Sequence, residues 1–110
     1  MNPPGTIALS PDQDRLVLAI LRAILPPSAT VWAYGSRTTG RAGRFSDLDL
    51  AIDAGRPLSV DAIARLREAF TESDLPFRVD VLDWQAIDPG FRQAIAPDRI
   101  ALAPPAMARG

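Results

Sequence analysis

The chain has 110 residues, enough for one hydrophobic core but short for two. Its formal net charge of −1 argues against non-specific binding of nucleic acid, so we expect no direct nucleic-acid partner. Cys, His and Lys are absent, which excludes disulfides, zinc sites with Cys or His ligands, catalytic cysteines or histidines, and Schiff-base lysines.

The sequence offers no candidate for a membrane span or an export signal. Its longest apolar stretch, residues 16–25, is interrupted by Arg22 and is too short to cross a bilayer. The first five residues lack the basic start of a signal peptide. We therefore expect a cytoplasmic protein with no membrane partner. Residues 1–110 should form a single domain, with a core of about 10–102 and loose N- and C-terminal tails.

The first predicted element is an amphipathic helix that follows Ser10. Ser10 is placed as its N-cap, Pro11 lies in the first turn, and Gln13 completes a capping box. The helix should end before Pro26, because the residue before a proline disfavours helical geometry. An apolar stripe predicts the face that packs on the core: Leu16, Ile20 and Ile24.

A strand followed by a small-residue turn comes next. Residues 30–34 are β-branched and aromatic, which predicts a strand that stops at Gly35. Gly35 lets the backbone turn and approach a ligand closely, and Ser36 is expected to cap a short helix after it. Backbone N–H groups and a hydroxyl at such a junction bind phosphate oxygens well.

The loop after this turn is basic. Arg37 directly follows Ser36, and we predict that it reaches triphosphate oxygens. For Arg41 and Arg44, a solvated loop and contact with triphosphate oxygens explain the sequence equally well. Three aromatic residues could stack on a base, but packing in the core is the favoured interpretation: Trp32, Tyr34 and Trp84.

Two carboxylates occupy alternate positions in the second predicted strand. Because side chains alternate between the faces of a strand, Asp47 and Asp49 share one face. The other face is apolar and committed to the core: Leu48, Leu50 and Ile52. Adjacent carboxylates repel each other unless a cation joins them, and their hard oxygen atoms suit Mg²⁺. The alternative is an ordinary strand with solvent-facing aspartates.

Two more helices are predicted in the second half of the chain. Ser59 begins the first, with Leu58 and Ile63 placed for a hydrophobic staple. Asp88 precedes a proline and should start a last short helix that runs to Ile95. The stripe of the longer helix that should face the sheet comprises Ile63, Leu66 and Phe70.

A third carboxylate lies in the apolar run between these helices. Val79 and Val81 face one way, so Asp80 faces the other, and a carboxylate there is costly unless it is solvated, paired or bound to a metal. Asp80 completes a three-carboxylate cluster if its strand lies beside that of Asp47 and Asp49. Asp83 competes for this role, but it shares the face of the valines, so Asp80 is preferred.

The pattern Gly-Ser, ten residues, Asp-x-Asp and a later strand Asp resembles the minimal nucleotidyltransferases (MNT) of the DNA polymerase β superfamily. The resemblance covers roughly residues 10–102 and includes "AYGSRTTGRAGRFSDLDLAI" and "LPFRVDVLDW". The order helix, strand, turn, strand, helix, strand fits the same fold. We expect an α/β (α+β) protein in which a small mixed sheet has helices on one face and the carboxylates on the other.

The resemblance implies a mechanism and assigns roles to the matching residues. Gly35 and Ser36 would hold the β- and γ-phosphates of ATP, and Asp47 and Asp49 would bind Mg²⁺. Asp80 would bind a second metal ion and help to deprotonate the acceptor hydroxyl. The implied reaction transfers AMP to a tyrosine of an all-helical HEPN toxin, so that the chain would act as an antitoxin.

Two other functions stay open from the sequence. One is a small-molecule nucleotidyltransferase of the aminoglycoside-modifying sort, in which a separate helical subunit binds the substrate. The other is a non-catalytic antitoxin that neutralises its partner by contact alone, although Ser36 and the three aspartates argue against it. The acceptor's identity is beyond what the sequence reveals.

Overall fold

A mixed β-sheet lies at the centre of residues 6–103, the part of the chain that this computed structural model describes. The elements follow in the order α1 (Pro11–Ile24), β1 (Thr30–Tyr34), α2 (Ser36–Thr39), β2 (Leu48–Asp53), α3 (Val60–Thr71), β3 (Val79–Asp83), α4 (Pro89–Ile95) and β4 (Ile100–Ala103). None of the helices in this range is long and apolar enough to cross a membrane.

The expected tails fall mostly outside the described residues, which exclude 1–5 and 104–110. Residues 6–9, which we expect to be part of the loose N-terminal tail, are instead attached to the domain. The Ala8 N–H donates to the Arg37 carbonyl oxygen at 2.7 Å. Ile7 and Leu9 are partly buried against the hydrophobic core.

The four strands have the spatial order β3-β2-β1-β4. β1 is antiparallel to both β2 and β4, whereas β2 and β3 are parallel and are connected through α3. The parallel pairing is the one on which the predicted carboxylate cluster depends. β4 is an element that the sequence does not predict, because its four residues are too few to give a strand signal.

One face of the sheet packs against α1 and α3 and forms the hydrophobic core. α1 contributes Val17 and Leu21 to this cluster, and α3 contributes Leu66 and Phe70. The strand residues of this face are fully buried, as their alternation predicts: Leu48, Leu50 and Ile52. Since burial of each such side chain contributes about 1.5–3 kcal/mol, this face anchors β2 firmly in the sheet.

The helix starts agree with their sequence signals. Ser10 and Gln13 form the predicted capping box, Ser59 accepts the Ala62 N–H, and Asp88 accepts the Phe91 N–H. Ile20 and Ile24 of the predicted stripe pack against the core, so the prediction is confirmed in part for α1. Its buried residues are Val17 and Leu21, whereas Leu16, Ile20 and Ile24 are only partly buried.

The opposite face of the sheet carries the aspartates and is covered in part by α4. The ring of Phe91 packs edge-on against the ring of Tyr34, with 6.5 Å between centroids. Arg92 donates two hydrogen bonds to the Trp84 carbonyl oxygen. The predicted α+β architecture with a mixed sheet is confirmed, with α1 and α3 on one face and the carboxylates on the other. The helix α4 is an exception to the expected arrangement, because it packs on the face of the carboxylates.

Candidate active site

The turn between β1 and α2 brings the backbone against Asp49. Gly35 has φ 84° and ψ −150°, a conformation that residues with a Cβ rarely adopt. A Cβ built on Gly35 would lie 2.7 Å from Asp49 Oδ2, closer than Cβ atoms come to non-bonded oxygen atoms in folded proteins. Glycine is therefore required here both by its φ and by the adjacent carboxylate.

Gly35, not Ser36 as the sequence predicts, lies at the N-cap of α2. Gly35 is the N-cap of α2, Ser36 is the first helical residue, and the N-cap makes no side-chain hydrogen bond. The predicted capping role of Ser36 is therefore wrong. The carbonyl oxygen of Gly35 accepts hydrogen bonds from the hydroxyls of Thr38 and Thr39 at 3.0 and 3.3 Å, which fix the turn.

The structure brings the three predicted carboxylates to one end of the sheet face. Asp49 of β2 has a strand partner on each side: Asp80 in the parallel strand β3 and Tyr34 in the antiparallel strand β1. Asp47 precedes Leu48, the first residue of β2, and shares the face of Asp49 by alternation. About half of the Asp47 and Asp80 side chains is exposed, 45% and 50%, so that solvent and ligands reach both.

Crowding of like charges alters the ionisation of this end of the face. Burial raises the pKa of Asp49 above its ordinary value, and the carboxylates of Asp80 and Asp47 raise it further. Burial, together with Asp49 and Asp80, raises the pKa of Tyr34 to about 12. Tyr34 therefore keeps its proton at neutral pH, and a nearby cation would favour the ionised form of Asp49.

These residues fit a divalent metal ion whose coordination shell is completed by a nucleotide. All the donors are hard oxygen atoms, and a cation would relieve the repulsion that raises the pKa of Asp49. Among residues 6–103 no group of three carboxylates converges closely enough to bind a metal ion as the side chains stand. Phosphate oxygens of a nucleotide would supply the remaining ligands, which Mg²⁺ commonly draws from its substrate.

Arg37 does not occupy the position that we predict for it. Its side chain is buried, only 4% exposed, and it donates hydrogen bonds to the carbonyl oxygens of Ala8, Arg44 and Ser46. Its guanidinium also lies 3.9 Å from the centre of the Phe77 ring. These contacts occupy the donors that a triphosphate would need, so Arg37 holds the loop before Asp47 in place instead.

The two candidate aspartates of β3 have separate environments. Asp83 is buried, and its carboxylate accepts the N–H groups of Leu58 and Gln85 at 2.8 and 3.1 Å. It points away from Asp80, as strand alternation predicts, and joins the loop before α3 to the end of β3. Asp83 is therefore positioned to stabilise the fold.

Two arginines to which the sequence analysis assigns no role contact this face of the sheet. Arg78 lies within 3.6 Å of both Asp47 and Asp80, and the strand alternation that places it beside Asp80 is the signal that could have indicated this. Arg99 lies over the rings of Trp32 and Trp84, at 4.4 and 5.0 Å from their centroids. No local pattern indicates that second contact, because Arg99 and its two partners lie far apart in the sequence.

Comparison with known proteins agrees with this geometry. Residues 25–103 match the family model described as polymerase beta, nucleotidyltransferase, which includes every carboxylate of the candidate site. The chain belongs to the polymerase β nucleotidyltransferase family. The predicted family resemblance and the predicted fold are both confirmed by this match.

The nucleotidyltransferase is similar to proteins of toxin–antitoxin systems. It is 54% identical over 81 residues to the probable protein adenylyltransferase MntA of Haemophilus influenzae, a match that covers 71% of each chain. A crystal structure of a toxin–antitoxin with AMP-PNP superposes with a TM-score of 0.69 at 25% identity, over 81% of this chain and 71% of that one.

A second solved structure extends the likeness in fold. It contains a tri-AMPylated HEPN toxin of Shewanella oneidensis in complex with an MNT antitoxin. The TM-score is 0.62 at 20% identity, over 81% of this chain and 67% of that one. At this identity the likeness establishes the shared fold of the nucleotidyltransferase alone.

Proposed function

We propose that this nucleotidyltransferase is an antitoxin that transfers AMP from ATP to a tyrosine hydroxyl of a HEPN toxin. The observation that carries the proposal is that the Asp49 carboxylate fills the space where a side chain on Gly35 would begin, beside the in-register Asp80. A phosphate-binding turn and two carboxylates then lie within one ligand's reach. The similarity to MntA and to the toxin–antitoxin structures supports a protein acceptor.

The turn would orient the nucleotide. Gly35 has no side chain, so the β- and γ-phosphates can approach the backbone of the turn directly, and the Ser36 hydroxyl can donate to a phosphate oxygen. The positive φ of Gly35 and its two threonine hydrogen bonds fix this backbone before the nucleotide arrives. Such preorganisation avoids a cost of ordering at the moment of reaction.

The carboxylates would divide the remaining work. Asp47 and Asp49 would hold Mg²⁺ with the nucleotide, and Asp80 would contribute to a second site. When bound, Mg²⁺ neutralises phosphate charge and activates the α-phosphorus toward attack. Asp80, which is half exposed, would accept the proton of the acceptor hydroxyl as that oxygen bonds to the α-phosphorus. The bond from the α-phosphorus to the bridging oxygen breaks, and pyrophosphate leaves.

The acceptor would reach this site from solvent. The partly exposed carboxylates Asp47 and Asp80 lie at an open end of the sheet face, and α4 contacts that face through Tyr34 and Trp84. A partner protein can therefore present a hydroxyl without the opening of a lid. Since ATP is the proposed donor, we place the reaction in the cytoplasm.

The proposal is tested by asking whether the protein transfers a radioactive label from ATP to a HEPN toxin encoded by the neighbouring gene. The protein, MgCl₂ and this partner are incubated with ATP that carries ³²P in either the α- or the γ-position. Label should enter the partner from the α-position only, and mass spectrometry should locate AMP on a tyrosine. Label from the γ-position would instead indicate a kinase.

Two controls separate catalysis from binding. EDTA should abolish labelling, and Asp49→Asn should do so without releasing the partner from a co-purified complex. If Asp49→Asn neutralised the toxin in cells as fully as the wild-type protein does, neutralisation would occur by contact alone. Transfer of AMP to an aminoglycoside but not to the partner would support the small-molecule alternative.

A further inference from the structure

Arg78 is held at the edge of the carboxylate cluster by the backbone of the sheet. Its carbonyl oxygen accepts the Leu48 N–H at 2.9 Å, which continues the parallel pairing of β2 and β3 by one residue and places Arg78 beside Asp47. Side chains two residues apart on a strand share a face, so Arg78 also lies next to Asp80.

A single nitrogen of Arg78 faces both neighbouring carboxylates. Arg78 Nη2 lies 3.6 Å from Asp47 Oδ2 and 3.5 Å from Asp80 Oδ2. One guanidinium therefore serves two carboxylates at once. Its charge partly satisfies the need for a cation at this end of the sheet.

These ion pairs are weak enough to be exchanged. Both distances exceed those of a charge-assisted hydrogen bond, about 2.7–2.9 Å, and the Arg78 side chain is 74% exposed. Exposed pairs of this kind contribute about 0.2–1 kcal/mol each. A divalent cation carries twice the charge and can bind the same oxygen atoms directly, so it can displace the guanidinium.

We propose that Arg78 is an exchangeable counter-ion, which pairs with Asp47 and Asp80 in the metal-free enzyme and must leave them when a divalent cation binds. The inference rests on the proposed function, because it takes the same carboxylates as metal ligands. Arg78 therefore lowers the affinity of the nucleotide-free site for metal. The released guanidinium is then free to pair with the phosphates of the incoming nucleotide.

The test is a titration of nucleotide-free protein with Mn²⁺, in which electron paramagnetic resonance measures the free ion. Arg78→Gln should bind Mn²⁺ about 3–10-fold more tightly than the wild-type protein, which corresponds to loss of two exposed ion pairs. Arg78→Lys keeps the charge and should lie closer to the wild-type affinity. Arg65→Gln, an exposed arginine on α3, changes the net charge equally and is the matched control.

A measurement on the folded wild-type protein accompanies the variants. The ¹⁵Nε resonance of Arg78, identified by its loss in Arg78→Lys, should shift as Mg²⁺ is added and should saturate with the metal. An unmoved resonance, or an Arg78→Gln affinity no higher than that of Arg65→Gln, overturns the inference. If AMP transfer proceeds in the same preparation, the proposed function survives that result. If neither Mn²⁺ binding nor AMP transfer is found in any variant, both proposals are wrong.

Discussion

The two ends of one sheet face differ in the charged groups that they carry and in how those groups are packed. At the acidic end, Asp49 and Asp80 are neighbours across two strands, and a loosely paired arginine is their counter-ion. The aromatic end lies two residues further along β1 and β2, and there Trp32 packs against Trp84 with 4.9 Å between ring centroids. Arg99 is stacked on both of these rings.

This difference shows how a short sheet separates reactivity from stability. The aromatic end combines ring packing, stacked cations and the hydrogen bonds from Arg92 to the Trp84 carbonyl oxygen, all of which stabilise the folded chain. At the acidic end, burial and then repulsion by Asp80 and Asp47 raise the pKa of Asp49. Substitutions at the two ends should therefore affect different measured quantities.

The largest expected effect is on catalysis and concerns Asp80. Asp80→Asn keeps the size of the side chain but removes the proposed base, so AMP transfer should fall ~10²–10⁴-fold. Binding of ATP with Mg²⁺ should survive, because Asp47 and Asp49 remain. Single-turnover transfer and calorimetry measure the two quantities.

Asp83→Asn is the matched control on the same strand. It should lower the free energy of unfolding, because the Asp83 carboxylate is buried and accepts two partly buried backbone N–H groups, while the transfer rate of the folded protein stays near that of the wild type. A folded Asp83→Asn protein that transferred AMP more slowly than Asp80→Asn would reverse the two assignments.

The next effect concerns the turn that contacts the acidic end. Gly35→Ala forces a Cβ to within 2.7 Å of Asp49 Oδ2, so the turn or the carboxylate must move. Misplacement of about 1 Å can cost ~10²-fold in rate, and we expect a loss of that order. Gly40→Ala is the control, since Gly40 has nearly the same φ, 81°, but no atom near its Cβ position.

Gly40→Ala should therefore destabilise the protein by about 1 kcal/mol without loss of transfer activity in the folded fraction. Thermal unfolding and initial rates of AMP transfer distinguish strain from collision with Asp49. Equal rate losses in the two variants would show that the contact of Gly35 with Asp49 has no special importance.

At the aromatic end the expected effect is on stability. Trp84→Ala removes the contacts with Trp32 and Arg99 and should lower the free energy of unfolding by about 2–4 kcal/mol. The affinity for ATP should change little. Denaturant unfolding and nucleotide calorimetry check this, and a tenfold loss of ATP affinity with unchanged stability would assign base stacking to these rings.

The smallest effect is a dependence of stability on pH. The folded protein holds the Asp49 proton to a higher pH than the unfolded chain does, because its pKa is raised by burial and then by Asp80 and Asp47. Ionised Asp49 therefore destabilises the metal-free protein above its folded-state pKa. This penalty declines as the pH falls through that pKa and disappears below the unfolded value, about 3.9.

Asp49→Asn should accordingly raise the Tm slightly at neutral pH, and the gain should vanish in acid. Asp83→Asn should show no such gain, because its carboxylate is hydrogen-bonded. Thermal melts of both variants in EDTA between acid and neutral pH measure the difference. A lower Tm for Asp49→Asn at neutral pH would contradict the inferred repulsion.

Local sequence signals predicted the elements and the face that carries the aspartates. The capping box at Ser10, the strand at residues 30–34 and the helix start at Asp88 depend on neighbours in sequence, so the pattern contains the needed information. Strand alternation likewise separated Asp80 from Asp83. The roles of these residues in transfer stay predictions.

Contacts between distant segments could not be predicted. The position of Arg37 after Ser36 predicts a phosphate ligand. Its real partners, the carbonyl oxygens of Ala8, Arg44 and Ser46, are brought together only by the folded loops. β4 depends on its pairing with β1, about 70 residues earlier in the chain, more than on its own four residues. The parallel pairing of β2 and β3 required the family resemblance or the structure itself.

The position of β3 at the border of the four-stranded sheet has a consequence for solubility. A border strand offers unpaired backbone groups to other chains, and an apolar one promotes aggregation. Arg78 and Asp80 place opposite charges along this strand, and a second copy would have to desolvate both in order to extend the sheet. These two charges should therefore disfavour extension of the sheet by a second copy, and variants that neutralise both charges need to be checked for oligomers.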